Sequence, residues 1–324
     1  MNLRVWAEFL KPEDVLKKDV VGLLKRYDVT LGMAFPPGSM NGDYARLFGE
    51  CEQAGVTAMV WALLPDEQGY WANERNAKEF SDCVEKIYDW ADENKFGIPW
   101  LAVDLETPYH QMKVLEEASG FGTIGRMYKN YRKNRNRAKF REASEVFNRL
   151  AGRMRDRGVK TLAAALGPVA ADVKTGRVGL QDALETPVST VDWDVVSFML
   201  YTSAMASLFP AVFDLRGARW YMYAVMRDMK EKLGGRAALS IGTTSEGKVS
   251  HSPHRAPEEL LPDMEAALAA GIDDVAVFSL EGILDSPKPE AWFETLLAAE
   301  PKVPGRSLKS DAFRLFLQGL SKVL

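Results

Sequence analysis

The sequence predicts a (β/α)8 barrel, and three observations carry that prediction. Eight short apolar, β-branched or aromatic runs recur along the 324 residues, at 3–9, 29–35, 58–64, 100–105, 161–166, 195–201, 238–242 and 274–280. Segments with helical periodicity separate them, which implies parallel pairing, because each parallel crossover needs a helix. The runs are apolar almost without interruption, as strands buried on both faces are. Eight such units in one chain close into a barrel more readily than they spread as an open sheet.

The intervening segments carry their own stop signals. The segment 43–54 ends at Gly55, 77–95 ends at Phe96-Gly97, and 257–270 ends at Gly271. Glycine past the last turn tolerates the left-handed conformation found there. The longest interval lies between the fourth and fifth runs and holds an insertion. After the eighth run the chain passes through Pro-rich sequence into residues 311–324. There Phe313, Phe316, Leu317, Leu320 and Leu324 form one apolar stripe, which predicts a helix packed on the barrel wall. A partner or membrane contact is the alternative for that stripe. No internal repeat or low-complexity linker divides the chain. Residues 1–324 therefore read as a single barrel domain with an insertion after strand four and a C-terminal helix.

Composition narrows the function classes. Hydrophobic residues make up 47% and charged residues 27%, enough for an ordinary core. A net charge of −4 argues against a general polyanion binder, so no nucleic-acid partner is expected. One basic segment departs from this balance: residues 126–160 hold thirteen Lys or Arg against three acids, with Tyr128, Tyr131 and Phe140 interleaved. It reads as a solvated helix face, or else as a patch for an anionic polymer such as an acidic glycan. No run of about 20 apolar residues is present, so no membrane span is expected. The apolar segment at the N-terminus is shorter than a signal peptide's core and cleavage site. A cytoplasmic protein is expected on that ground, or a secreted one if a leader has been removed. Cys51 and Cys83 fall in neighbouring predicted helices and read as buried thiols rather than a disulfide framework.

In such barrels the site lies at the C-terminal ends of the strands. That rule selects Trp6 and Glu8 after strand one and Trp61 on strand three. It also selects the strand-three loop, with Asp66, Tyr70, Trp71 and Glu74, and the pair Asp104 and Glu106 ending strand four. Met199 and Tyr201 follow on strand six, Glu246 after strand seven, and Glu281 after strand eight. The strand-four pair is the most informative. Residues two apart on a strand share a face, so both carboxyls project together into the barrel or onto its rim. Ionised together they repel, and one should hold its proton near neutral pH, as a general acid must. Carboxylates that interrupt an apolar strand cost stability unless paired or hydrogen-bonded. Tyr70 and Trp71 would give flat faces for the C–H surfaces of a sugar, or simply pack the loop on the barrel.

These residues resemble the chitinase-like (family 18) glycoside hydrolases, whose fourth strand carries Asp-x-x-Asp-x-Asp-x-Glu and whose sixth carries Met-x-Tyr. Here the last Asp and the Glu are Asp104 and Glu106, and Met199-Leu200-Tyr201 matches in place and spacing. The two earlier motif positions are Pro99 and Ala102, Thr202 stands where that family has Asp or Asn, and strand eight lacks that family's Trp. Asp-x-Glu on strand four is also similar to the lysozyme-like family 25. The resemblance implies that Glu106 protonates the leaving oxygen, Asp104 orients a 2-acetamido group that attacks the anomeric carbon, and Tyr201 supports that group. If the substrate does not assist, Glu281, Glu8 or Glu246 must supply a second carboxylate. The expectation is a glycoside hydrolase or transglycosidase acting on a glycan, without a cofactor. Two alternatives stay open: a non-catalytic carbohydrate-binding barrel, and a metal-dependent isomerase or lyase using Asp104, Glu106 and Glu281 as ligands. Against a further metal site, Pro253 breaks the His251-x-x-His254 spacing.

Overall fold

The computed structural model describes residues 1–17, 19–108, 135–245 and 253–324. Eight parallel strands close into a barrel in sequence order: β1 (Asn2–Ala7), β2 (Val29–Phe35), β3 (Ala58–Ala62), β4 (Trp100–Leu105), β5 (Lys160–Leu166), β6 (Val195–Met199), β7 (Ala237–Gly242) and β8 (Asp274–Phe278). β1 pairs with β2 on one side and with β8 on the other, which closes the ring.

Alternation along each strand sorts the side chains into two apolar bodies. Leu3, Val5 and Ala7 of β1, Leu101, Val103 and Leu105 of β4, and Val275 and Val277 of β8 join the core between barrel and helices. Trp6, Ala102, Ala276 and Phe278, of opposite parity, fill the lumen with Met59, Trp61 and Leu162. Because Asp104 shares the parity of Ala102, it faces the lumen, and it is 6% exposed. Gly32 of β2 is needed for close approach: a Cβ there would lie 2.5 Å from the indole of Trp6. The missing side chain leaves the space that this large inward ring fills.

Helix ends follow the glycine signals in two of three cases. Gly55 and Gly271 adopt left-handed φ of 75° and 82° after helices Gly42–Ala54 and Pro257–Ala269. The helix Ala77–Glu93 stops earlier than expected, and the left-handed residue is Lys95, not Gly97. Asn94 ends it locally, its side-chain amide donating to the Trp90 carbonyl at 2.8 Å. The last helix, Leu308–Val323, begins three residues before the predicted start, where the Ser307 hydroxyl accepts from the Ser310 amide. Its stripe packs on the barrel through buried Leu317 and Leu324, while Phe316 stays exposed.

Part of the expected insertion is the helix Arg137–Asp156. Arg153 of this helix and Arg157 just beyond it pair with Glu85, Asp89 and Asp92 of the helix Ala77–Glu93, so these basic residues answer an acidic neighbour. Tyr128 and Tyr131 lie outside the described residues, as do Glu246 and His251. His254 is buried against Asp263 and Glu259. Cys51 is buried and Cys83 half-buried, both as free thiols. Among the described residues no helix is long and apolar enough to cross a membrane.

Candidate active site

A cavity of about 330 Å³ opens at the C-terminal mouth of the barrel. Trp6, Glu8, Trp61, Trp71, Asp104, Glu106, Met199 and Tyr201 all line it. Four strand ends and the strand-three loop thus bring together eight of the thirteen residues that the strand-end rule selected, Glu246 lying outside the described residues. Tyr70 lies behind this lining: its hydroxyl donates to Glu8 Oε1 at 2.8 Å and its ring stands edge-on to Trp71.

Three selected residues lie elsewhere, among them Glu74, buried with its backbone amide donating to the Glu185 carbonyl at 2.8 Å. Asp66 is exposed on the short helical turn Asp66–Gln68. β8 ends at Phe278, two residues before the predicted end, so Glu281 falls on a helix, Leu280–Leu284, outside the cavity lining. There its Oε1 accepts from the backbone amides of Phe9 and Leu10 at 2.7 and 3.3 Å, bracing the loop after β1. β6 likewise ends at Met199 rather than at residue 201. Tyr201 is the residue before the helix Thr202–Leu208, and it still faces the cavity.

The strand-three loop is held against β4 by a single-residue parallel bridge. Ala72 N donates to the Asp104 carbonyl at 3.0 Å, and Glu106 N donates to the Ala72 carbonyl at 3.2 Å. Two buried asparagines that sequence reasoning passed over shape this loop. Asn76 donates to the carbonyls of Gln68 and Trp71, Asn73 donates to the same Trp71 carbonyl, and the Asn73 amide donates back to Asn76. Trp71 is fixed beside the carboxylates as a result. Ser197 and Ser240 were also missed, although their inward parity marks them. Their hydroxyls meet at 2.9 Å, and the Trp6 indole N–H donates to Ser240 at 3.3 Å. A third support lies below Tyr201, where Asp263 accepts from Thr202 and from Arg219.

The electrostatics are one-sided. Three carboxyls line the cavity, and among its described lining residues there is no Lys, Arg or His. Asp104 and Glu106 project side by side from the end of β4, close enough for each to act on the other's titration. Burial holds Asp104 well above the usual carboxylate range, and the charges of Glu106 and Glu8 push in the same direction. Glu106 is raised as well, by burial first and then by Glu8. The Tyr201 hydroxyl is pushed up by burial and by the same three acids, so all four groups sense one another. Asp104 Oδ1 is buried without a partner among the described residues. Such a pair keeps a shared proton near neutral pH, because two adjacent carboxylates in a low-dielectric site do not both ionise. The arrangement can therefore deliver a proton to an oxygen placed against it. Among the described residues no group of three His, Cys, Asp or Glu is placed to hold a metal ion.

Similar architectures occur among carbohydrate-active enzymes. The PgaB (BpsB) glycoside hydrolase domain from Bordetella bronchiseptica matches with a TM-score of 0.55 at 11% identity, covering 93% of this chain and 99% of that one. A chitinase from Chromobacterium violaceum matches at 0.54 and 9% identity, over 92% and 98%. The spore cortex-lytic enzyme SleL from Bacillus megaterium matches at 0.53 and 11%, over 94% and 75%. At these identities the likeness establishes the barrel fold. No family model matches the sequence, and no curated protein matches it either.

Proposed function

We propose that the chain is a glycoside hydrolase or transglycosidase in which Asp104 and Glu106 hold the catalytic proton. The observation that carries this reading is the adjacent carboxyl pair, Asp104 and Glu106, lining a cavity walled by Trp6, Trp61 and Trp71. Glu106 is the general acid and later the base, and Asp104 shares its proton and keeps it available. The indoles of Trp6 and Trp61, edge-on with centroids 5.5 Å apart, and that of Trp71 offer apolar surface to sugar C–H groups. Tyr201 and Met199 border the reacting ring on the side of β6.

The adjacency of the two carboxyls on β4 bears on the mechanism. Acid and nucleophile on opposite sides of a glycosidic bond stand about 5 Å or more apart. Two carboxyls that project together from one strand end act, on this reading, as one proton donor. The group on the other face is then Glu8, oriented by Tyr70, or a 2-acetamido group of the substrate itself. A cation site built from Asp104, Glu106 and Glu281 is disfavoured, because Glu281 lies outside the cavity lining that holds the other two. Asp66 and Glu281 are left with roles at the loops rather than at the reacting bond.

The test is turnover of labelled glycans by wild type and Glu106→Gln, with and without EDTA. Hydrolysis that disappears in the variant and ignores the chelator is the expected result. Full activity in Glu106→Gln would remove the assignment. Undiminished binding of the same glycans by the variant, with no turnover by either protein, would replace it with a carbohydrate-binding barrel.

A further inference from the structure

The cavity does not end at the carboxyl pair. Beyond Tyr201 it continues between the helix Thr202–Leu208 and the last helix, Leu308–Val323, along Met205, Leu208, Phe209, Phe213, Phe313 and Phe316. Polar side chains line the barrel end, namely Glu8, Asp104, Glu106, Tyr201, Ser240 and Thr243. Along the outer part Tyr221 is, among the described lining residues, the one that carries a side-chain nitrogen or oxygen. Leu208 and Phe316 at its rim are 41% and 47% exposed, large apolar groups left facing water.

The wall is built rather than incidental. The last helix is tied along its flanks: Ser310 donates to the Gly217 carbonyl at 2.8 Å, and the Trp220 indole donates to Asp311 at 2.8 Å. Arg314 pairs with Asp228 at 2.6 Å, and the Ser321 and Thr175 hydroxyls meet at 2.6 Å. With its polar residues so engaged, the helix turns Phe313 and Phe316 to the cavity, where Phe313 packs on Phe213 with centroids 5.3 Å apart. A free polysaccharide needs hydrogen-bonding groups along its subsites, since a hydroxyl buried without a partner is penalised. This trough offers almost none. Methylene groups, by contrast, gain from leaving water.

From this continuity of a carboxyl-lined end with an apolar trough, we propose that the cavity takes an amphipathic glycoside. Its sugar sits at Asp104 and Glu106, and its alkyl, acyl or isoprenoid chain lies along the trough. This rests on the glycosidase reading for the sugar end, whereas the chain end stands on the lining alone.

The experiment is calorimetric titration of the protein with hexyl, octyl and decyl β-D-glucoside, each kept below its micelle threshold. Affinity is expected to rise about fourfold per added methylene, the equivalent of ~0.8 kcal/mol, until the trough is filled. Phe316→Asp and Leu208→Glu, both at exposed positions that the fold tolerates, should flatten that rise. Affinity independent of chain length, or an equal rise in both variants, overturns the proposal. So does a concentration-dependent dimer that Phe316→Asp dissolves, because a second copy would then cover the trough. Binding is read without turnover. Chain-dependent binding with no hydrolysis of any glycan would keep the trough and remove the hydrolase, and hydrolysis with chain-independent binding would do the reverse.

Discussion

The two ends of the barrel lumen treat buried charge in opposite ways. At the N-terminal end of the strands Arg4, 2% exposed, meets Asp274 through two parallel hydrogen bonds of 2.7 Å. The same guanidinium lies 4.5 Å from the centroid of the Trp100 ring. Each charge there has its opposite, which is the condition under which a protein interior tolerates ions. At the C-terminal end Asp104 and Glu106 meet each other, with Glu8 nearby and no cation among the described lining residues. One end is compensated and serves the fold. The other is frustrated, and on the proposed reading its frustration holds the catalytic proton.

Breaking each end in turn should give different phenotypes. The largest effect is expected from Glu106→Gln, which keeps shape and removes the titrating group. Activity on a hydrolysed glycan should fall by about 10²- to 10⁴-fold with the thermal midpoint unchanged or raised. Steady-state kinetics beside a melting curve checks both halves. Arg4→Met should do the converse. It strands the Asp274 carboxylate with Asn2 as its remaining side-chain donor, and removal of one partner from a buried pair costs roughly 3–5 kcal/mol. Urea unfolding should show that loss, while kcat/KM of the molecules that remain folded stays near wild type. An equal loss of activity in Arg4→Met would mean that the two ends are not independent.

Much of this contrast was legible in the sequence, because it depends on short-range rules. The i, i+2 spacing of Asp104 and Glu106 made them share a face, and the apolar neighbours Leu101, Val103 and Leu105 occupied the other. Eight apolar runs gave the strands to within two residues or so at their ends. The misplacements came from those ends. Glu281 was counted as a strand terminus, yet β8 stops at Phe278 and two further residues rotate the side chain into a loop contact. Nothing local marks that stop. Tyr201 survived the same error because the helix after β6 starts beside the cavity. The stripe on residues 311–324 was visible as amphipathic, but its facing surface, Phe209 and Phe213, belongs to distant sequence. Contacts of that kind are set by how elements pack on the closed barrel, not by any periodicity.

The alkaline side of the pH profile sharpens the comparison next. If the shared proton is the reactive one, as proposed, kcat/KM should decline as pH rises through the raised range of the Asp104–Glu106 pair, above the ordinary carboxylate values. A rate flat from pH 5 to about 9 would argue that the pair carries no catalytic proton.

The smallest effect expected is on stability, and its sign is opposite to that at Arg4. Asp104 binds its proton more tightly folded than unfolded, because burial and neighbouring acids raise it. Its contribution is therefore complete below the unfolded carboxylate range and is lost as pH rises through the folded value. At neutral and alkaline pH the pair holds charge that the fold does not compensate. Asp104→Asn retains the volume and abolishes the repulsion, so it should stabilise the protein by about 1 to 2 kcal/mol at pH 8. The gain should shrink as pH falls toward the ordinary carboxylate range, below which the wild-type carboxyl is protonated in both states. Thermal melts of the two proteins across that pH window measure it directly. A variant less stable than wild type at pH 8 would show that Asp104 is satisfied by partners beyond Glu106, and the contrast between the two ends of the lumen would then be one of position rather than of compensation.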